Sequence, residues 1–426
     1  MKLKTTKTAV ALALLLVGSG AVTAAENEAR IIQNSLDAAQ GNNRADIQQA
    51  GDNLRAIATQ TGSAINTSIN QTGQNQASHI TAIGSSVDVS VVQQGSGQSS
   101  DVSVDGTALR VDILQQGQQN QLSAITLTGD GNQLNVEQTG SENNIALSPV
   151  SGTGNDLYLQ QHGQQNQLSS AEVNGANNLL DLYQQGQQNN VALAPVAGDN
   201  NTVFIQQDGQ RNSLTATAGI AGNDNLVDSL QDGNENQLSF GIDGSQHDLT
   251  VNQRGDNNRA ELLVAGTSNA LLVNTRGDNN GVIVNASGAQ QDVTIRQIGD
   301  QNQLVSNVSG DEQLLNLSQD GNANQLQATV EGGQSHVVEV EQQGDLNLLD
   351  LLVSGAQNTV DIQQLGNSNE ITGGNGSSAT VSGNEGLVTL TQTGHHNKIE
   401  LDQGGTANIA TVVQQGNANV ATISQR

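Results

Sequence analysis

The chain has no cysteine, no tryptophan, only 2 prolines and, among 426 residues, 2 tyrosines and 2 phenylalanines. Without sulfur there is no disulfide framework and no thiolate metal site. Without aromatics the usual source of core burial is missing, so an ordinary globular enzyme of this length is not expected. Basic residues are also scarce: 14 against 41 acids, a formal charge of −27. Nothing here can neutralise a run of phosphates, which excludes a basic nucleic-acid binder. Charged residues make up 13% of the chain, about half the usual ~25%. Long apolar runs are absent too. The longest, residues 9–17, is nine residues of Ala, Val and Leu, where a membrane-spanning helix needs about 20.

That short run has a different meaning. Lys2, Lys4 and Lys7 precede it, Gly18 and Gly20 break it, and small residues at 21–25 follow. This is the three-part layout of a secretory signal peptide at residues 1–25. Its removal leaves 11 bases against 41 acids, a charge of −30. No later segment is apolar enough to sit in a bilayer. A secreted chain without cysteine must be stabilised by something other than disulfides.

What the sequence has in place of aromatics is Gln, Asn, 48 glycines and small aliphatics, a composition that calls for a search for repeats. The phrase Gln-x-Gly-x-x-Asn recurs with glycines at Gly51, Gly73, Gly95, Gly117, Gly140, Gly163, Gly186, Gly209, Gly233, Gly255, Gly277, Gly299, Gly321, Gly344, Gly366, Gly394 and Gly416. Seventeen copies follow one another at 22 to 24 residues, apart from one gap of 28. A second glycine series, from Gly62 through Gly152 and Gly266 to Gly405, runs midway between them. Each repeat is thus two half-units of about 11 residues, each closed by a turn. Around Gly186, apolar Leu180 and Leu182 lead to Gln184, and Asn189 leads to Val191 and Leu193. Steps of two are the side-chain period of a strand. Glycine every 11 residues would disrupt any long helix.

A two-strand unit cannot bury its apolar face alone, but stacked units can. The expected fold is all-β: a β-solenoid of about 17 strand-turn-strand rungs, cross-β in character, spanning residues 46–426. Residues 26–45 read as an incomplete rung or leader, and residues near 371–383 as a flexible insertion. The repeat Gln shares parity with the apolar residues and should point inward: Gln115, Gln138, Gln161, Gln184, Gln207, Gln231, Gln253, Gln297, Gln319, Gln342, Gln364, Gln392 and Gln414. So should Asn120, Asn143, Asn166, Asn189, Asn212, Asn236, Asn258, Asn280, Asn302, Asn324, Asn347, Asn369, Asn397 and Asn419. An unpaired buried amide costs roughly 1–3 kcal/mol. Stacked in register, each amide donates to the next, which satisfies the column and opposes slippage. The glycines of this corner supply the positive φ that a tight turn needs. In the Gly277 repeat, Thr275 stands in the Gln position, and Leu54, Gln76 and Gln98 fill the first three Asn positions. Pro149 and Pro195 fall in second half-units, next to corners.

This repeat, behind a signal peptide, resembles the curlin repeat of curli, the secreted amyloid fibres of bacterial surfaces. The resemblance covers residues 46–426, and seventeen phased copies make an unusually long member. Leu134, Leu157 and Leu180 stand where the family pattern has Ser. The resemblance implies a subunit that crosses the outer membrane of a Gram-negative bacterium through a dedicated pore. It then polymerises with itself, starting on a nucleator subunit, into biofilm fibres that mediate adhesion. The inward Gln and Asn and the corner Gly match the family positions. The alternative is a monomeric β-solenoid adhesin or surface-binding rod, although outward Asp181, Thr250, Asp292 and Glu339 lack the regularity of an ice-binding face.

No catalytic constellation stands out, and no enzyme, cofactor or nucleic-acid partner is expected. His395-His396 reads as a solvated turn rather than a metal site. Residues 152–157 resemble a calcium-binding nonapeptide but lack its period. Asp256, Asp278 and Asp300 recur at one corner as a short acidic ladder, serving solubility or weak cation affinity. Tyr158 and Phe204 fall at equivalent outward positions two repeats apart, too few for a carbohydrate platform.

Overall fold

A computed structural model describes residues 26–34, 42–170 and 172–426. The signal segment lies outside the described residues. The chain divides into two compact units, Met1–Arg211 and Asn212–Arg426. Each is a parallel β-solenoid, with about 17 turns in the two taken together and 1% helix.

In the first unit, Arg44–Asp52, Asn66–Gln74, Asp88–Ser96, Arg110–Gln118, Gln133–Ser141, Asp156–Gln164, Leu179–Gln187 and Thr202–Gln210 form one sheet. Each pairs parallel with the next, and every Gly stacks on a Gly: Gly140 on Gly163, Gly163 on Gly186, Gly186 on Gly209. The opposite sheet holds the intervening half-units, beginning with Arg55–Ser63, Ala77–Ser85 and Ser99–Thr107. Within the leader, Glu28–Asn34 is a strand paired with residues 55–61 of this second sheet.

The prolines act in mid-strand rather than beside a corner. The half-unit with Pro149 is split into Asn144–Leu147 and Val150–Thr153, and the one with Pro195 into Asn190–Leu193 and Val196–Ala197. Proline has no N–H to give the ladder. The half-unit held between them contributes the strands Gln167–Ser170 and Val173–Ala176.

The second unit repeats the pattern. Asp248–Arg254, Ala270–Arg276, Asp292–Ile298, Leu314–Asp320, Val337–Gln343, Thr359–Leu365, Leu387–Thr393 and Ile409–Gln415 stack in register. In the opposite sheet the insertion leaves between Glu370–Thr372 and Ala379–Val381. It makes one 3-10 turn, Gly374–Gly376, in which Ser377 Oγ donates to the Gly374 carbonyl at 2.9 Å.

The core is a column between the two sheets. Along Thr359–Leu365, Val360, Ile362 and Gln364 are buried and their neighbours are not. The inner rungs repeat this alternation, mostly with Val, Leu, Ile or Ala, and each fully buried Val, Leu or Ile contributes about 1.5–3 kcal/mol. Phe240 is the largest fully buried side chain.

Candidate functional site

The site is the interior ladder system and the strand edges where it stops. In the first unit Gln49 donates to Gln71, and the chain continues through Gln93, Gln115, Gln138, Gln161 and Gln184 to Gln207. Its Nε2–Oε1 distances run from 2.7 to 2.9 Å. In the second unit Gln231 donates to Gln253 at 2.9 Å, and a further run links Gln297, Gln319, Gln342, Gln364, Gln392 and Gln414 at 2.8–3.0 Å. The same amide nitrogen also donates across the core to a main-chain carbonyl of the opposite sheet. Gln184 reaches the Gln167 carbonyl at 3.0 Å, and Gln342 reaches that of Gln325 at 3.0 Å. Each Gln therefore ties rung to rung and sheet to sheet.

Thr275 interrupts the column. Its hydroxyl donates to the Asn252 carbonyl at 3.3 Å, and Gln297 Oε1, one rung on, is buried with no partner. Gln49 Oε1, with no donor among the described residues, is unpaired in the same way. The ladder is polar: donors point toward higher residue numbers, and the runs that start at Gln49 and Gln297 begin at an unmet acceptor.

The Asn column works through the main chain. Asn120 Oδ1 accepts both the backbone N–H and the side-chain amide of Asn143 at 3.1 Å, and Asn143 Nδ2 donates on to the Gly163 carbonyl at 3.0 Å. The pattern repeats in the second unit, from Asn236 through Asn258, Asn280, Asn302, Asn324, Asn347, Asn369 and Asn397 to Asn419. Asn212 Oδ1 accepts the Asn236 N–H at 3.0 Å.

The other corner carries an equivalent column that reading the first corner alone had missed. In the first unit it is formed by Asn132, Asn155, Asn178 and Asn201. The signal was present, since each lies three residues after the second glycine series. In the second unit this column includes two histidines. His247 Nδ1 accepts the Asn269 N–H at 3.3 Å, and His336 Nδ1 accepts that of Asn358 at 3.2 Å. Both rings are buried, and desolvation pushes both below the ordinary imidazole value.

The corners explain the glycines. Gly186 has φ 114°, and a methyl placed on it would overlap the carbonyl oxygen of Gly209 in the next rung. Substitution is barred by the neighbour's backbone as well as by the conformation. Two residues later the chain passes through left-handed φ at an ordinary residue, as at Gln188 (57°) and Leu346 (61°), a feature the motif did not reveal.

The corner acids have a structural role. Asp256 Oδ1 accepts the Asn234 N–H, Asp278 that of Asp256, and Asp300 that of Asp278, each at 2.8 Å. Asn322, Asp345, Asn367, His395 and Asn417 continue the column. His395 thus stands in a ladder through Nδ1, while His396 has φ 58° at the turn. Among the described residues no group of three or more His, Cys, Asp or Glu is placed to hold a metal.

At the last turn, Ile409–Gln415 pairs with Leu387–Thr393 and Val420–Gln425 with Lys398–Gln403. Their other edges have no strand partner among the described residues. Ile409, Val413 and Val420 are 62%, 61% and 71% exposed. Inward-facing Val412, Ala421 and Ile423, fully covered in earlier rungs, are only half-buried here.

These features define a class: a parallel β-solenoid whose interior is a set of axial amide ladders. The family model described as the Curlin associated repeat matches residues 175–209, the stretch holding Gln184, Gly186, Asn189, Gln207 and Gly209. The match is consistent with a member of the curlin-repeat family, whose repeat is that of curli-like, fibre-related proteins. No curated protein matches the chain. Among the described residues no helix is long and apolar enough to cross a membrane.

Proposed function

We propose that the chain is a secreted structural subunit that self-assembles end to end into curli-like amyloid fibres of a biofilm matrix, where it mediates adhesion and aggregation. In this reading it leaves a Gram-negative cell through an outer-membrane pore and begins assembly on a nucleator subunit. One observation carries the proposal. The Gln run of the first unit starts at an unmet acceptor, Gln49 Oε1, and the last run of the second unit stops at Gln414, whose amide donates to the Lys398 carbonyl at 3.1 Å but meets no further Gln. The spare donor of one copy is complementary to the unmet acceptor of the next. The open edges beside Gln414 offer backbone donors and acceptors in the same register. An assembly of this kind is heterologous and does not close, so it grows as a filament.

Thioflavin T kinetics on the mature chain provide the test. Micromolar chain should form fibres with a reflection near 4.8 Å. Gln414→Ala should slow elongation several-fold, while Gln415→Ala, outward on the same strand, should not. A chain that stays monomeric, or equal rates for the two variants, would reject end-to-end templating.

A further inference from the structure

Three of the four aromatic residues of the chain converge on one outer face of the first unit. In the stacked strands Asp156–Gln164, Leu179–Gln187 and Thr202–Gln210, Tyr158, Asp181 and Phe204 occupy one outward row. Gln160, Tyr183 and Gln206 occupy the next row. Tyr158 is 38% exposed and Phe204 37%. Tyr158 and Phe204 by themselves are too few for a carbohydrate platform, but Tyr183, which the repeat pattern alone did not bring into this group, lies on the intervening rung and adds a third ring to the patch. Its ring is 5.6 Å from that of His162, and its hydroxyl donates to Gln185 Oε1 at 2.7 Å. Half-buried Asp181 lies between the two exposed rings. Among the described residues none donates a hydrogen bond to its carboxylate, and desolvation pushes its pKa up.

We propose that this face binds an extended, neutral, β-1,4-linked glycan running along the stack. Rungs about 4.8 Å apart place Tyr158 and Phe204 about 10 Å apart along the axis. That distance matches the two-sugar repeat of such a chain, in which alternate sugars present the same face. The apolar C–H face of one pyranose stacks on Tyr158 and that of the second sugar along on Phe204. The sugar between them turns its hydroxyls toward Asp181, and Gln160 and Gln206 flank the line with amide donors and acceptors. Two exposed aromatic rings with a carboxylate between them and amides alongside suit a ligand that is apolar on its faces and polar at its rim. A helical α-linked glycan does not keep the spacing. The inference is independent of fibre formation, because every residue in it belongs to one unit of one chain.

Both tyrosines of the chain are in this patch and there is no tryptophan, so tyrosine fluorescence reports on the site alone. Freshly purified full-length mature chain, held soluble, would be titrated with cellohexaose, with maltohexaose in parallel. A saturable change with cellohexaose and none with maltohexaose is expected. Phe204→Ala should weaken binding about tenfold, and Tyr158→Phe, which keeps the ring, should stay within about twofold. Far-UV circular dichroism should match for all variants, since both side chains point outward. No saturable change, equal affinity for the two sugars, or full affinity in Phe204→Ala would overturn the proposal. A fluorescence change that follows protein concentration alone and vanishes in Phe204→Ala would identify a second copy as the occupant, and would overturn it equally.

Discussion

At the scale of the residue, the chain is a study in the cost of an unmatched amide. Where Gln follows Gln, both the oxygen and the nitrogen are satisfied, and where Thr275 intervenes, Gln297 Oε1 is stranded. Thr275→Gln should restore the donor and raise stability by about 1 kcal/mol, read as a higher denaturant midpoint for the soluble chain. An unchanged midpoint would show that the column does not act as a cooperative ladder. The two ladder histidines make a second prediction. Burial holds both imidazoles below their ordinary value, so the unfolded chain takes up their protons first. Their stabilisation is complete above the unfolded value of about 6.5 and is lost as pH falls through the lower folded values. Protonation also removes the Nδ1 lone pair that accepts the next rung's N–H. A His247→Asn/His336→Asn variant, with the residue most other rungs use there, should show a flatter stability profile between pH 7 and pH 5. A profile as steep as that of the parent would locate the acid sensitivity elsewhere.

At the scale of the element, a rung is only as firm as its continuous ladder. Pro149 and Pro195 each remove a donor and split their strands, and the strands Gln167–Ser170 and Val173–Ala176 lie between those two broken half-units. Such strands open locally at lower cost. Amides of Gln167–Ser170 and Val173–Ala176 should therefore exchange hydrogen faster than those of Leu179–Gln187 in the opposite sheet of the same unit, by at least about tenfold. Equal protection, measured by exchange mass spectrometry on the soluble chain, would mean the proline breaks have no energetic consequence there.

At the scale of the whole molecule, charge opposes what the ladders favour. With 41 acids against 14 bases, copies repel before any rung can dock, and the unfolded chain stays soluble. The range of that repulsion falls from about 30 Å at 0.01 M salt to about 8 Å at 0.15 M. Raising ionic strength over this interval should shorten the lag of assembly, while Gln414→Ala should remain slow at both. A lag indifferent to salt would show that repulsion does not limit docking.

The strand period, the inward parity of Gln184 and Asn189 and the glycine at each first corner were legible in the sequence. They are local properties: a side chain alternates faces every residue whatever its neighbours do, and a tight corner needs positive φ wherever it stands. The second Asn column was legible in principle, because Asn132, Asn155 and Asn178 keep the same offset from their own glycines. The rest depended on which residue lies above which. Only register in the folded stack sets Gly186 against the Gly209 carbonyl, strands Gln297 Oε1 beyond Thr275, and gathers Tyr158, Tyr183 and Phe204 on one face. Each of these is a contact between segments 22 or more residues apart, and the pairing of parallel strands, not the chemistry of any single segment, decides it.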